Sequence, residues 1–200
     1  EGLARAIQRT LNVEVEHERQ VERIELAKRR LTTRDGEQIG YDKLVSTMPL
    51  ASVIDACGRG GELPSEVLEA RSLLRSTTVS HLDVLAKGSN HDREGRWDGE
   101  GQPHWVYFPE RQFPFYRVGS FSAVEPKMTD GDTRNFYVEI AHRGDRRVED
   151  EVEACLRGLD EAGLIDGVGS VLDVHVEHVS HAYVLQDPNY QRSRQVLLDY

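Results

Sequence analysis

The sequence predicts an α+β fold in which a mixed, mostly antiparallel sheet of five or six strands has its helices on one side. Two observations lead to this prediction. Stretches with the period-2 alternation of a strand recur along the chain, most clearly over residues 171–184. Stretches with the apolar stripe of an amphipathic helix lie between them, most clearly over residues 148–163. The 200 residues are enough for one substantial domain or for one and a half small ones.

The first quarter of the chain predicts one helix and then a small β-meander. The helical stripe consists of four apolar residues: Leu3, Ala6, Ile7 and Leu11. Five stretches have strand patterns: residues 13–17, 21–26, 30–34, 38–41 and 42–49. Asp35-Gly36 predicts a primed hairpin turn between the third and fourth of these, because this dipeptide tolerates positive φ. The fifth is expected to be a short buried strand that Pro49 ends.

The rest of the chain alternates between helical and extended patterns. Helices are predicted over residues 64–74, 148–163 and 190–198. Strands are predicted over residues 77–86, 136–141 and 171–184. Gly163 is the expected stop of the middle helix, because glycine readily adopts the left-handed conformation of a helix end. Residues 88–101 are polar and rich in glycine, which is typical of a surface loop.

Residues 104–117 hold six aromatic residues and two arginines in fourteen positions. Two extended runs, residues 105–108 and 115–118, flank a connection that begins and ends with proline, so we expect a β-hairpin, called here the aromatic hairpin. Alternation puts Trp105 and Tyr107 on one face, and it puts Tyr116 and Arg117 on opposite faces, with Tyr116 in the core.

An aromatic wall beside an arginine suits a ligand in which a flat ring is joined to an anion. The guanidinium of Arg117 offers planar donors to a phosphate or carboxylate, and Trp105 and Tyr107 offer ring faces. The other interpretation is an aromatic core strand with a surface arginine. The pattern alone leaves both open.

Composition excludes several classes of partner. The formal net charge of −10 opposes general binding to nucleic acid or to an anionic membrane. No apolar run has the roughly 18–20 residues of a membrane span. Cys57 and Cys155 lie far apart in apolar helical patterns, so we expect buried free thiols in a reducing compartment, the cytoplasm. The spacing of the histidines predicts no metal site, since His178 faces away from His175 and His181.

Nucleotide-binding and hydrolase motifs are absent from the sequence. No Gly-x-Gly-x-x-Gly occurs, and the glycine clusters at residues 58–61 and 167–170 lack its spacing. Neither a Gly-Lys-Ser/Thr phosphate loop nor a Gly-x-Ser-x-Gly nucleophile turn is present. Any nucleotide chemistry must therefore take its main binding loop from residues outside this chain.

Five motifs occur in the order of a known family: Val21-Glu22-Arg23-Ile24, Asp35-Gly36, Tyr41-Asp42-Lys43-Leu44-Val45-Ser46-Thr47-Met48, Trp105-Val106-Tyr107-Phe108-Pro109-Glu110 and Pro114-Phe115-Tyr116-Arg117. This order resembles the UDP-galactopyranose mutase branch of the FAD-dependent amine oxidase and protoporphyrinogen oxidase superfamily. The resemblance covers nearly the whole chain. It implies a central fragment of a two-domain flavoprotein, without the N-terminal Rossmann loop or the C-terminal FAD segment.

The resemblance implies a division of the chain and roles for its residues. Residues 1–50 would be a partial FAD-domain segment, with a helix, a β-meander and a return strand. Residues 51–200 would be a substrate-binding domain that contains the aromatic hairpin. The expected substrate-binding residues are Arg117, which would neutralise a diphosphate, with Tyr107, Trp105 and Tyr183. The expected FAD-binding residues are Val21, Thr47 and Met48. The resemblance assigns no catalytic residue and no metal.

The family would use reduced FAD to isomerise a nucleotide sugar. One departure affects substrate choice: the relatives have an Asn after Phe-Ser, whereas this chain has Ala123 after Phe121-Ser122. The 200-residue chain alone is expected to be inactive and to hold no FAD, since the glycine loop is missing.

Three hypotheses remain open at this point. In the first, the chain is part of a mutase-like FAD enzyme with a small anionic substrate, such as a nucleotide sugar. Alternatively, it belongs to an amine or protoporphyrinogen oxidase-type FAD oxidoreductase. The third hypothesis is an isolated, non-catalytic domain that binds a ligand or partner. In that case a homodimer is also possible, through apolar surfaces that would otherwise meet a cofactor domain.

Overall fold

The structure is a computed structural model that describes residues 2–88, 104–130, 132–143 and 147–200. The chain divides into two compact units, Glu1–Leu74 with Gln186–Tyr200 and Arg75–Leu185. The predicted boundary at residue 50 differs from this division, because the helices that follow residue 50 pack within the first unit. The roles assigned to residues 1–50 and 51–200 stay predictions. Apart from Gly88, the loop predicted at residues 88–101 lies outside the described residues.

The helices in chain order are α1 (Gly2–Gln8), α2 (Leu50–Gly60), α3 (Ser65–Leu73), α4 (Phe121–Val124), α5 (Val152–Glu161) and α6 (Tyr190–Asp199). The strands are β1 (Val21–Glu25), β2 (Arg30–Thr33), β3 (Gln38–Gly40), β4 (Ser76–Lys87), β5 (Trp105–Tyr107), β6 (Arg117–Gly119), β7 (Thr133–His142) and β8 (Val171–Val184). Every strand pairing that the structure describes is antiparallel. The predicted α+β fold with a mostly antiparallel sheet is confirmed.

The first unit contains a three-stranded sheet in the order β1-β2-β3, which confirms the predicted hairpin. Gly36 has the positive φ of the turn, at 89°, but Asp35 does not, so the turn differs from the predicted primed type. Helix α2 packs against β1 at very close range. A Cβ atom on Gly60 would lie 2.0 Å from the carbonyl oxygen of Ile24. The absence of a side chain at residue 60 therefore permits this packing.

Two predicted strands of the first unit are wrong. Residues 13–17 and 42–49 have no strand conformation, and Val45 is 89% exposed instead of buried. A local strand pattern marks a stretch that could be a strand, but it does not supply the neighbouring strand that would satisfy its backbone groups. Pro49 precedes helix α2 and does not end a strand. Helix α2, in which Ile54, Ala56 and Cys57 are buried, is not among the predicted helices, although Cys57 lies in an apolar helical pattern.

The second unit is built on a five-stranded sheet in the order β5-β6-β7-β4-β8. Even-numbered residues of β4 and β7 face the core, including Leu82, Val84, Phe136 and Val138. The register puts Leu82 opposite Val138 and Val84 opposite Phe136. Odd-numbered residues therefore project from the other side, called here the open face.

Helix α5 covers the core face of the sheet. Its buried residues include Cys155, Leu156 and Leu159, as the predicted apolar stripe required. Residues 148–151 form a 3₁₀ helix before it, and Gly163 has the positive φ of a helix stop, at 74°. The helix predicted over residues 148–163 is confirmed. The four-residue helix α4 lies over the open face, where Phe121 contacts the ring of Tyr137 at a centroid distance of 4.7 Å.

Three phenylalanines fix the aromatic hairpin to helix α5. Phe108, Phe113 and Phe115 contact one another at centroid distances of 5.1–5.3 Å. A Cβ atom on Gly158 of α5 would lie 2.9 Å from the Phe115 ring. The hairpin therefore buries its phenylalanines against the helix, which leaves its other aromatic residues for the open face.

The two cysteines are buried and form no disulfide, as predicted. Burial raises the pKa of the Cys57 thiol, which makes that thiol less reactive. Within the described ranges, the helices are all too short or too polar to cross a membrane.

We expect Gly60→Ala to destabilise the first unit by about 1–3 kcal/mol, because the new methyl group would overlap the Ile24 backbone. Gly61→Ala is the matched control. Gly61 has an extended backbone with φ 178°, and a Cβ atom there would meet no atom within 4 Å. Its effect should stay below about 0.5 kcal/mol. Urea unfolding of the two variants measures the difference, and equal losses would contradict the close approach.

Candidate functional site

A row of five side chains crosses the open face, one from each strand. The strand register puts them opposite one another in this order: Tyr107, Arg117, Glu139, His81 and Glu177. The predicted pairing of the two aromatic-hairpin strands is confirmed, with Tyr107 opposite Arg117 and Trp105 opposite Gly119. Trp105 and Tyr107 share a face, as alternation required. Trp105, Tyr107 and Arg117, which were predicted from the hairpin alone, therefore lie together on the open face.

Arg117 forms a bidentate ion pair with Glu139. The Arg117 Nε donates to Glu139 Oε2 at 2.8 Å, and a terminal nitrogen donates to Oε1 at 2.5 Å. The side chains are only 19% and 13% exposed. The Glu139 carboxylate raises the pKa of Arg117 above its usual range, so the guanidinium is always charged. Two of its three nitrogens are thus already occupied by an internal anion.

Aromatic rings surround the Arg117 guanidinium. Its central carbon lies 5.7 Å from the centre of the Trp105 ring and 5.8 Å from the rings of Tyr107 and Tyr116. These distances are within the range of cation–π attraction. The third nitrogen donates to the Tyr107 hydroxyl at 3.4 Å. We call Trp105, Tyr107, Tyr116, Arg117 and Glu139 the Arg117 cluster.

Tyr116 belongs to this cluster, and its predicted position in the core is wrong. Its hydroxyl donates to Glu139 Oε2 at 2.5 Å, which brings it to the same carboxylate as Arg117. Residue 116 lies in a bend just before β6, so the alternation of the strand does not apply to it. Burial, together with the Glu139 carboxylate, raises the pKa of the Tyr116 hydroxyl above its ordinary range.

Tyr183 reaches the cluster from the far edge of the sheet. It lies in β8 opposite Thr77, and half of its surface is exposed. Its hydroxyl is close enough to Tyr116 to contribute to the raised pKa of that residue. Three of the predicted substrate-binding residues, Trp105, Tyr107 and Arg117, therefore meet directly. The fourth, Tyr183, approaches through Tyr116.

Glu139 and Tyr116 are the members of the cluster that the sequence reasoning missed. Buried Phe136, Val138 and Ile140 alternate with polar positions in β7, which puts Glu139 on the open face. That signal was available in the sequence. The sequence did not show that Glu139 pairs with Arg117, because these residues are 22 positions apart and meet only through the pairing of β6 with β7.

The half of the open face beyond Glu139 is acidic and rich in histidine. His81 Nε2 lies 3.4 Å from a Glu177 oxygen and 3.7 Å from an Asp83 oxygen, and His175 Nε2 lies 3.5 Å from the other Glu177 oxygen. In the part of the chain that the structure describes, no group of three or more His, Cys, Asp or Glu residues is suited to a metal ion. Neighbouring carboxylates give this half a negative field.

The residues predicted to bind FAD lie in the first unit. Val21 begins β1 opposite Thr33, whereas Thr47 and Met48 lie in the irregular segment before α2. The Met48 backbone nitrogen donates to the Ser46 hydroxyl at 3.3 Å. These residues offer one hydroxyl side chain and no basic group or glycine loop for a diphosphate. They do not make a dinucleotide site by themselves.

Comparison with known structures supports the fold. The chain matches the crystal structure of a reduced UDP-galactopyranose mutase with a TM-score of 0.78 and 20% identity, over 98% of this chain and 43% of the other. A candidate protoporphyrinogen oxidase from Exiguobacterium sp. 255-15 matches with a TM-score of 0.53 and 17% identity, over 86% of this chain and 37% of that one. An oxidoreductase from Methanosarcina mazei matches with a TM-score of 0.54 and 15% identity, over 80% of this chain and 36% of that one.

The chain thus spans less than half the length of each of these structures. At such identities the likeness is one of fold. No family model matches the chain.

We expect a double-mutant cycle on Arg117→Ala and Glu139→Gln to give a coupling free energy of about 2 kcal/mol, because the pair is bidentate and mostly buried. Glu153 and Arg157 on α5 provide the control, since their side chains are 78% and 60% exposed. Their coupling should stay below about 0.5 kcal/mol. Denaturant unfolding measures both cycles, and similar values would show that burial adds nothing to the Arg117 pair.

We expect the free energy of unfolding to fall as the pH rises above about 10, the ordinary pKa of tyrosine. In that range the unfolded chain releases the proton of Tyr116, whereas the folded chain keeps it because its pKa is raised. Stability from this group is therefore complete below pH 10 and is lost above it. Tyr116→Phe should make the decline shallower. Unfolding curves at several alkaline pH values test this, and equal slopes for both proteins would contradict it.

Proposed function

We propose that this chain is the substrate-binding part of a longer FAD-dependent enzyme that acts on a small anionic substrate of the nucleotide-sugar type. One observation carries the proposal: Trp105, Tyr107, Arg117 and Tyr183, expected from the sequence to bind such a substrate, converge on one open sheet face. The likeness in fold to a UDP-galactopyranose mutase over 98% of the chain supports it.

Each residue of the Arg117 cluster has a distinct part in the proposed binding. The half-exposed rings of Trp105 and Tyr107 stack against a base or sugar. The third guanidinium nitrogen of Arg117 and the Tyr107 hydroxyl donate to a phosphate oxygen. Glu139 fixes the guanidinium plane by its two hydrogen bonds. The FAD is held mainly by residues outside this chain, and such an enzyme would work in the cytoplasm.

Glu139 changes the expected electrostatics of binding. Because its carboxylate neutralises Arg117, an anion reaching the cluster meets little net positive charge. Recognition then depends on directed hydrogen bonds and ring stacking more than on long-range attraction. A substrate with an aromatic ring next to its phosphates fits this arrangement better than a bare anion does.

Binding of UDP to the full protein with reduced FAD tests the proposal by titration calorimetry. Arg117→Ala should weaken binding about 10- to 100-fold, because a charged hydrogen bond is lost. Glu139→Gln should strengthen it at low salt, because the guanidinium is no longer neutralised. Arg111→Ala is the matched control, since Arg111 is exposed in the connection of the same hairpin. Unchanged affinity in both Arg117→Ala and Glu139→Gln would refute the assigned role.

A second candidate is an oxidase-type FAD enzyme, favoured by the likeness in fold to a candidate protoporphyrinogen oxidase and to an oxidoreductase. The two candidates differ in their use of electrons. An oxidase bleaches its flavin when substrate is added and releases peroxide in air, whereas a mutase needs reduced flavin but consumes no electrons overall. Steady-state oxygen consumption separates them. If the purified chain binds UDP but no flavin, the non-catalytic binding domain is favoured instead.

A further inference from the structure

A second polar cluster lies on the core side of the five-stranded sheet, away from the Arg117 cluster. It joins four residues from four elements: Ser80 in β4, His142 in β7, His178 in β8 and Glu149 in the 3₁₀ helix before α5. The register puts Ser80 directly opposite His178. Ser80 is fully buried, and the polar chain runs from it in two directions.

The contacts form a continuous line of hydrogen bonds. The Ser80 Oγ lies 2.8 Å from His142 Nε2 and 2.6 Å from His178 Nδ1. On its other side, His178 Nε2 lies 3.1 Å from Glu149 Oε1. His178 and Glu149 are partly exposed, with 40% and 51% of their side-chain surfaces accessible. One end of the line is therefore at the surface, and the other is buried.

Hydrogen-bond chemistry fixes the direction of every bond in this line. Glu149 stays ionised, because a backbone N–H and His178 lower its pKa. A carboxylate only accepts, so His178 Nε2 must carry a hydrogen. In neutral His178 the Nδ1 is then an acceptor, and Ser80 must donate its single hydroxyl proton to it. The Ser80 oxygen can therefore accept only from His142, which makes His142 the Nε2–H tautomer.

Protonation of His178 reverses this direction. Both nitrogens of the imidazolium are donors, so Nδ1–H donates to the Ser80 oxygen. The hydroxyl proton must then turn to His142 Nε2, and His142 becomes the Nδ1–H tautomer. A change of one proton at the partly exposed histidine thus changes which nitrogen of the buried histidine carries hydrogen.

The buried end of the line is the Nδ1 atom of His142. His142 is 9% exposed, and its Nδ1 has no hydrogen-bond partner within the described stretches. A buried polar nitrogen without a partner is unfavourable and uncommon in native proteins. This nitrogen is an acceptor in one state of the line and a donor in the other, as the end of a proton path must be.

We propose that Ser80 relays protons between the buried Nδ1 of His142 and the surface pair of His178 and Glu149. In the inward-to-outward direction, His142 Nδ1 takes a proton from a hydronium ion, which leaves as water. Its Nε2 proton passes to the Ser80 oxygen, and the Ser80 hydroxyl proton passes to Nδ1 of His178. His178 is then an imidazolium beside the Glu149 carboxylate, and it releases a proton to solvent. Each step breaks one N–H or O–H bond and forms another.

The relay also connects protonation to the packing of the 3₁₀ helix before α5. Glu149 from the 3₁₀ helix contacts His178 directly, and His142 from β7 is linked to His178 through Ser80. Arg147 acts on Glu149 from the same segment. Val148, next to Glu149, is fully buried in the sheet core. A charged His178 pairs with Glu149 more strongly, so acid strengthens the attachment of this segment to β8.

Nuclear magnetic resonance of the full protein with ¹⁵N-labelled histidine tests the relay through the two-bond nitrogen–proton couplings of each ring. In the folded wild type, His142 should change from the Nε2–H to the Nδ1–H tautomer over the same pH range in which His178 gains its proton. His142→Gln and His178→Gln assign the two signals. A His142 tautomer that stays constant while His178 titrates would overturn the proposal.

The hydroxyl of Ser80 is tested separately. In Ser80→Ala the His142 tautomer should no longer follow the titration of His178, whereas Ser80→Thr, which keeps the hydroxyl, should restore the correlation. Coupling that persists in a folded Ser80→Ala variant would also overturn the relay. If the alanine variant fails to fold, the wild-type titration still decides.

Discussion

The ion pair of Arg117 and Glu139 is the interaction on which the open face depends. It joins the short hairpin strand β6 to the central strand β7, which is supported on both sides by neighbouring strands. Strand β6 has three residues, so few backbone hydrogen bonds hold it. The bidentate contact therefore fixes both the guanidinium and the hairpin that carries Trp105 and Tyr107. The same carboxylate orients the Tyr116 hydroxyl.

This arrangement follows from the two-sided pattern of the sheet. Even-numbered residues of β4 and β7 are buried against α5, which leaves odd-numbered residues to form a polar row across all five strands. A slip of one residue in register would exchange the two sets, putting Glu139 in the core and Val138 outside. Burial of Phe136, Val138 and Ile140 thus positions Glu139. The Ser80 line occupies the opposite face, where the core ends and Glu149 meets solvent.

Local patterns predicted the elements that carry their own signal. Strand β8 and helix α5 followed from long periodic stretches, and the aromatic hairpin followed from two short runs around a proline-bounded connection. Residues 13–17 alternate and residues 42–49 have the pattern of a short buried strand, but a strand needs a neighbour, and a local pattern does not supply one. The position of Arg117 could be predicted because its own strand sets it. Its partner Glu139 could not, because that contact depends on which strands pair.

Because Glu139 neutralises Arg117, the likeness in fold does not by itself identify the substrate. A free guanidinium among aromatic rings would attract any anion through its charge. Paired with Glu139, the same group keeps a single nitrogen directed towards Tyr107, and the acidic residues along the row add a negative field. A ligand of the proposed kind would then supply an oxygen at one position and a flat ring beside it. In the proposed function, selectivity on this face therefore comes from Glu139, whose carboxylate reduces the net charge of the cluster.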